Sequence, residues 1–306
     1  MPGKPTLPIV NSKKIAAVAA LLAATAYMIL AGPDVATRRA YIMVTVMLIA
    51  VLADRRAVTL RSVAIAAIIC LALEPESLVE PGFQMSFAAT AALVVGFGLW
   101  TRVQVRVPAL LRPAAAMILS SLIAGGATAP FAAAHFNRIA EYGLLANLLA
   151  VPVMGLVVMP AGVMAAILAP LGLAGIALWA MERGCALVLW IGERIAALEG
   201  SVRLVPAPPG SVLPILGLAG ALILAARPAG LRLAGLAALV LAFVAWAGTE
   251  RPDLLVSGDG TLVGVMTPAG RALSKPKGAR FVADSWLEND GDAADQITAA
   301  ARAGFS

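Results

Sequence analysis

Side chains that usually do chemistry are scarce in this sequence. There is one histidine, His135, and there are two cysteines, Cys70 and Cys185, with no CxxC or other ligand spacing. A zinc site needs several such donors at short spacing, and a redox pair needs two thiols. No metal, disulfide or cofactor is therefore expected. No GxSxG elbow and no GxxxxGKS/T phosphate loop occurs, which removes the commonest hydrolase and nucleotide signatures. The one regularly spaced carboxylate pair is Glu182 and Glu193, and each is followed by an arginine, Arg183 and Arg194. A salt-bridged structural role is expected there rather than acid–base work, and the chain is not expected to be an enzyme.

What remains is polar chemistry of the kind that binds or conducts. Arg38 and Arg39 form an isolated basic pair. Gln84 and Ser86 stand at the start of one apolar stretch, and Thr128, His135, Asn137 and Asn147 gather around two others. Amides and hydroxyls in lipid need partners, so they either bond helix to helix or line a hydrated path. Trp179-Ala180-Met181-Glu182-Arg183 recurs eleven residues later as Trp190-Ile191-Gly192-Glu193-Arg194. Eleven residues is close to three helical turns, so the Glu-Arg pairs share one stripe and the tryptophans a neighbouring one. A helix of this kind lies in the membrane interface or turns its charges to a bundle interior, and the spanning form is the one favoured here.

The elements that must position these groups follow from composition. Of 306 residues 61% are hydrophobic and 13% charged, against about 25% charged in soluble domains. The mean hydropathy is +0.91. So little polar surface cannot cover a water-soluble body, and lipid is the solvent that fits. The expected fold is an all-α polytopic membrane protein with about seven to nine transmembrane or re-entrant helices and a small α+β C-terminal tail. Uncharged stretches cover residues 15–31, 40–53, 62–73, 81–101, 113–137, 142–181, 204–226 and 233–249. Those at 40–53 and 62–73 are undersized and read as short spans or a re-entrant pair. Pro152, Pro160 and Pro170 punctuate the long one. The domains expected are a polar N-terminal segment 1–14, a membrane domain 15–250, and an extracytoplasmic tail 251–306, an incomplete domain.

Loop charge orients the bundle. Lys4, Lys13 and Lys14 precede the first span, Arg55, Arg56 and Arg61 follow the second, and Arg102, Arg106 and Arg112 follow the fourth. Glu74, Glu76 and Glu80 fill the loop after the third. Basic loops mark the cytoplasmic side, which puts the N-terminus inside and, if residues 171–199 span, the tail outside. Arg38 and Arg39 break the pattern, because the count places them outside. The net charge of +6 is the ordinary excess of such loops. In the tail, residues 253–274 alternate apolar runs with Ser-Gly-Asp-Gly and Pro-Ala-Gly turns, which predicts strands, and residues 279–287 predict a short helix.

Two blocks carry a family resemblance. Leu73-Glu74-Pro75-Glu76-Ser77-Leu78 followed by Pro81-Gly82-Phe83-Gln84-Met85-Ser86-Phe87 resembles the most distinctive block of the ComEC family of competence proteins, with Met85 in place of the usual leucine. Ala129-Pro130-Phe131 and Tyr142-Gly143 through Asn147-Leu148-Leu149-Ala150-Val151-Pro152 are similar to a second block, and Thr37-Arg38-Arg39-Ala40 to a short element at a span start. The match runs in order over about residues 15–165.

The resemblance implies a channel of the bacterial cytoplasmic (inner) membrane that passes single-stranded DNA in natural transformation. Its implied partner is that strand; the other partners expected are competence-machinery proteins, the lipid bilayer and a second copy of the chain in a homo-oligomer. On this reading Arg38, Arg39, Gln84, Ser86, His135, Asn137 and Asn147 line the DNA pathway, with the two arginines at its mouth. Many members also carry an N-terminal OB-like region and a C-terminal metallo-β-lactamase-like domain. Neither is expected here, which suggests a truncated product or a fragment. The residues alone leave two alternatives: a small-solute permease, which predicts a midplane pocket and inverted repeats, and a non-conducting membrane remnant.

Overall fold

A computed structural model of the chain describes residues 12–32 and 34–305. Lys4 and most of the polar N-terminal segment lie outside the described residues. The chain divides into two compact units, Met1–Val103 and Gln104–Ser306.

In the first unit four helices follow one another: α1 Ser12–Ala31, α2 Val35–Leu52, α3 Leu60–Leu73 and α4 Pro81–Val103. Start signals set them locally. Asp34 caps α2 by accepting from Ala36 N at 3.3 Å, and Thr59 caps α3 by accepting from Ser62 N at 3.1 Å. The core is a cluster of Val63, Ala66, Cys70, Phe83 and Phe87. Phe83 and Phe87 lie one turn apart on α4 with ring centroids 4.4 Å apart.

The expectation of a short second span is corrected. The helix starts at Val35 and has 18 residues, because Arg38 and Arg39 are helical and paired with acids instead of ending the span. α3 does stay short, with 14 residues.

The second unit begins with α5, Arg112–Phe136. A strand, β1 Arg138–Ala140, leads to α6 Gly143–Val153, a π-helical turn Met154–Val158 and α7 Met159–Leu168. These three pieces form one rod interrupted where Pro152 and Pro160 each remove a backbone donor. α8, Ala174–Ala196, returns antiparallel along it. Met181 lies against Gly162 and Gly184 against Val157 and Val158, so α8 runs beside α7, the π-turn and α6 in turn.

Strand β2, Val202–Leu204, then pairs antiparallel with β1, Arg138 opposite Leu204. The chain has therefore come back to the end it left after α5. α9 Val212–Ala225 and α10 Ala229–Ala247 form a second hairpin, which ends where Trp246 Nε1 donates to Pro206 O at 2.8 Å. Thus α8 packs antiparallel along the rod, and it is itself long and apolar enough to cross a membrane. The expected span at 204–226 is also corrected. Its first third is the last residue of strand β2 and a proline loop, and only the 14 residues of α9 are helical.

Among the described residues seven helices are long and apolar enough to cross a membrane, with α3 and α9 as shorter apolar helices. This is the all-α polytopic fold that composition predicts. Close packing relies on small residues. A Cβ on Gly235 of α10 would lie 3.0 Å from Ala219 O of α9.

The tail is the α+β element expected. Strands β3 Leu254–Val256, β4 Val263–Thr267 and β5 Gly270–Leu273 form an antiparallel sheet in that order, followed by α11 Arg280–Asp290 and α12 Gln296–Ala300. Its core is small: Leu262, Leu273, Ala283, Leu287 and Ala299. It is fastened to the β1–β2 end of the helices. Ala207 N donates to Asn289 O at 2.8 Å and Arg138 Nη2 to Glu288 at 2.8 Å.

Candidate functional site

The predicted site residues fall into both units. In the first, Arg38 and Arg39 stand one after the other near the start of α2, facing the loop that enters α4. Arg38 Nη1 is ion-paired with Glu74 Oε1, and Arg39 Nη1 lies 3.8 Å from Glu80 Oε2. Arg39 is well covered, with 13% of its side chain exposed. Its guanidinium rests on the backbone of Gly82: a Cβ there would sit 2.6 Å from Nη2. Gln84 Nε2 closes the same loop by donating to Leu78 O at 3.0 Å, and Ser77 is buried beneath it. Ser86 lies a turn farther on, half-buried, and its carbonyl accepts from Thr90 Oγ1 at 2.8 Å.

Four of the six positions of the Gly-Phe-Gln-Met-Ser-Phe block thereby acquire a physical reason. Gly82 has no side chain because a guanidinium occupies that space. Phe83 and Phe87 are the knobs of the core, and Gln84 ties down the loop. Two buried polar atoms nearby, Arg39 Nε and Thr45 Oγ1, have no hydrogen-bond partner among the described residues.

The pairing also explains why Arg38 and Arg39 sit on the acidic side. They meet the acidic loop, so both belong at the same end of the unit. Glu74 and Glu80 are ion-pair partners that reading the sequence for basic groups missed. Three glutamates in one loop without a basic neighbour were the available signal.

In the second unit the candidates do not converge. Asn137 ends α5 in the left-handed conformation, φ 54°, where asparagine is tolerated. It is buried, its Nδ2 donates to Val205 O at 3.4 Å, and its carbonyl accepts from Val205 N at 2.9 Å. It is the corner that starts the β1–β2 pairing. His135 is half-buried in the last turn of α5, beside Phe136 with centroids 6.5 Å apart. Asn147 lies on an exposed position of α6. Among the described residues no group of three His, Cys, Asp or Glu side chains is placed to hold a metal.

Helix α8 carries its charges differently. Ala177, Gly184 and Ile191 form its buried face, and Gly184 is tight: a Cβ there would meet Val158 Cγ2 at 2.7 Å. Glu182, Arg183, Glu193 and Arg194 are all exposed. The expected salt bridges are absent among the described residues. Instead Arg183 lies over Trp179 at 5.9 Å from the ring centroid, and Arg194 over Trp190 at 5.5 Å. A residue and its successor are about 100° apart on a helix, so Glu182 and Arg183 point to different flanks, whereas i and i+4 stack.

The tail holds the most buried charges. Asp290, 3% exposed, takes both Arg251 and Arg271, and Arg271 is fully buried. Asp292 is clasped by Arg302, which holds its carboxyl below the usual carboxylate range and raises the Arg302 guanidinium in turn. Asp259 accepts from Ser257 Oγ at 2.6 Å and from Thr261 Oγ1 and N at 2.9 and 3.1 Å, and is lowered to about 2 by those bonds.

A family model described as Competence protein matches residues 5–231. That range includes both distinctive blocks, the Arg-Glu cluster of the first unit and helices α5 to α9. No curated protein and no solved structure matches the chain.

Proposed function

The chain belongs to the competence-protein family, and from that premise we propose that it is a component of a membrane channel passing single-stranded DNA across the bacterial cytoplasmic membrane in natural transformation, without catalysing a reaction and without a cofactor. The observation that carries this reading is the family match over residues 5–231, which takes in most of the membrane helices. In this reading the N-terminus is cytoplasmic and the tail extracytoplasmic, with Arg55, Arg56, Arg102, Arg106 and Arg112 on the inner side as loop charge favours.

A strand with one phosphate per nucleotide needs cationic groups and a hydrated path. Arg38 and Arg39 are the outer-side cations, and they are held by Glu74 and Glu80. A phosphate reaches them by displacing a carboxylate from a guanidinium, an exchange between two oxyanion partners of similar geometry. With Glu76 in the same loop, the resting mouth is not an open positive funnel.

The test is complementation. In a transformable strain deleted for its own copy, the chain is expected to restore entry of labelled DNA into the cytoplasm, and Arg38→Ala with Arg39→Ala to abolish that entry while surface binding of DNA persists. Undiminished entry in the deletion strain without the chain sinks the reading.

A further inference from the structure

The α8 stripe is a charged surface that the second unit leaves without a partner. It lies opposite the helix's packing face. Taking about 100° per residue, Glu182 and Glu193 lie about 160–180° round the helix from Ala177, Gly184 and Ile191. Trp179, Ala186 and Trp190 come next, and Arg183 and Arg194 form the far flank. The tryptophans are 58% and 52% exposed. Glu182 stands eight residues inside a 23-residue helix, about 12 Å from its end, at a depth where an uncovered carboxylate is costly and ionisable groups face protein or water.

We propose that this face is where a second copy of the chain docks, α8 against α8, about a two-fold axis along the membrane normal. Such an axis is the commonest symmetry of oligomers. In a membrane it makes the two helices parallel and in register, because both copies share one orientation. Each residue then faces residues of nearly its own number.

Only a particular pattern is self-complementary under that constraint: acid and base adjacent in number but on opposite flanks of the contact line. Glu182 with Arg183, and Glu193 with Arg194, have that pattern. The Glu flank of one helix meets the Arg flank of the other, so Glu182 answers Arg183 of the second copy and is answered likewise. The second rung repeats this about 16.5 Å along the axis, and the eleven-residue spacing keeps it within about 20° of the first. Ala186 lies on the contact line between Trp179 and Trp190, so the helices approach most closely there and the indoles of the two copies meet at the levels flanking it. The net charge of the four groups is zero, which suits a copy of the same face and offers nothing to a polyanion.

Two measurements test this. In the first, one differently tagged copy carries Glu182→Arg with Glu193→Arg, and the other Arg183→Glu with Arg194→Glu. Each is expected to co-purify with its own kind at least about tenfold less than the unaltered chain does, since all four cross-copy pairs become like-charge contacts and a single good pair is already worth about that factor, and the two together to recover pairing. Self-association of each variant at the unaltered level, or a mixture no better than either alone, overturns the proposal.

Because added charge can hinder insertion, the second measurement keeps the native stripe. With Cys70→Ala and Cys185→Ala as background, Ala186→Cys is oxidised in native membranes, with exposed Leu218→Cys of α9 as reference. A disulfide-linked dimer through position 186 and not through 218 supports the pairing. Equal or no cross-linking at the two positions overturns it.

Discussion

The two sets of arginine–glutamate neighbours in this molecule are treated in opposite ways. At the start of α2 each arginine finds a carboxylate some forty residues on, Arg38 with Glu74 and Arg39 with Glu80. On α8 the glutamates have no cation among the described residues, and the arginines lie on tryptophans of their own helix. The first set is neutralised within the chain and fixes a loop. The second leaves its charge for something outside the unit. Adjacency in sequence does not make an ion pair on a helix, because neighbours diverge by about 100°. A partner at i+4 or on another element does.

The extreme of the answered kind lies in the tail, and removing its carboxylate is expected to have the largest effect. Asp290→Ala leaves Arg271, fully buried, without its acid, a change that typically costs about 3–5 kcal/mol. The tail's core is only five residues, so it is expected to open. Limited proteolysis of the detergent-solubilised protein should release the segment after α10 while the helices stay intact. A tail as resistant as the unaltered one would show that the apolar core holds alone.

The α2 cluster is expected to come next. Glu74→Gln with Glu80→Gln keeps shape but leaves two partly covered guanidiniums with weaker partners, at about 1–3 kcal/mol. Gly82→Ala probes the same seat from the other side: its Cβ meets Arg39 Nη2 at 2.6 Å, and the guanidinium must move off the helix. Thermal unfolding in detergent should show both as destabilised and their combination as less than additive, since they act on one guanidinium. Full additivity would separate the Gly82 contact from the ion pair.

The same double change on α8 sharpens the contrast. Glu182→Gln with Glu193→Gln, measured in dilute micelles holding one chain each, should alter stability by no more than about 0.5 kcal/mol, as for exposed groups without partners. A loss matching that of the α2 variant would mean these glutamates are answered within the chain, and the distinction between the two sets would fall.

How much of this was legible in the sequence depends on the range of the interaction. The long apolar helices, and the strands and helix of the tail, rest on local patterning and were readable. The length of α2 was not, because the charges that seem to end it are neutralised by residues 36 and 41 positions later. α9 was over-read since Leu204-Val205-Pro206-Ala207-Pro208-Pro209 is apolar yet extended, a composition that hides a strand and a proline loop. Asn137 was read as lining a path. An asparagine directly after a helical run is also a left-handed cap, and that local signal gives its observed role. The packing of α8 along the rod rests on Gly162 and Gly184, which no periodicity reveals.

The smallest expected effect concerns a carboxylate answered by hydroxyls in place of arginines. Asp259 sits in the turn between β3 and β4, held by Ser257 and Thr261, and its pKa falls from 3.8 to about 2. A group lowered on folding favours the folded turn above its unfolded pKa, and that contribution disappears as pH falls through the folded one. The turn is therefore expected to persist at pH 4 and to lose this support only towards pH 2. Ser257 Oγ also accepts from Leu262 N at 2.8 Å, so Ser257→Ala disturbs the strand as well. Thr261→Val is cleaner: it removes the hydroxyl bond and keeps the backbone N–H at 3.1 Å. Carboxyl NMR titration of aspartate-labelled protein should find Asp259 shifted upward in Thr261→Val and farther in Ser257→Ala, the bond from Ser257 being the larger cause. Equal shifts, or none, would mean that the exposed turn and its water, not the two hydroxyls, set the acidity of this carboxylate. Asp259 would then not count among the answered charges.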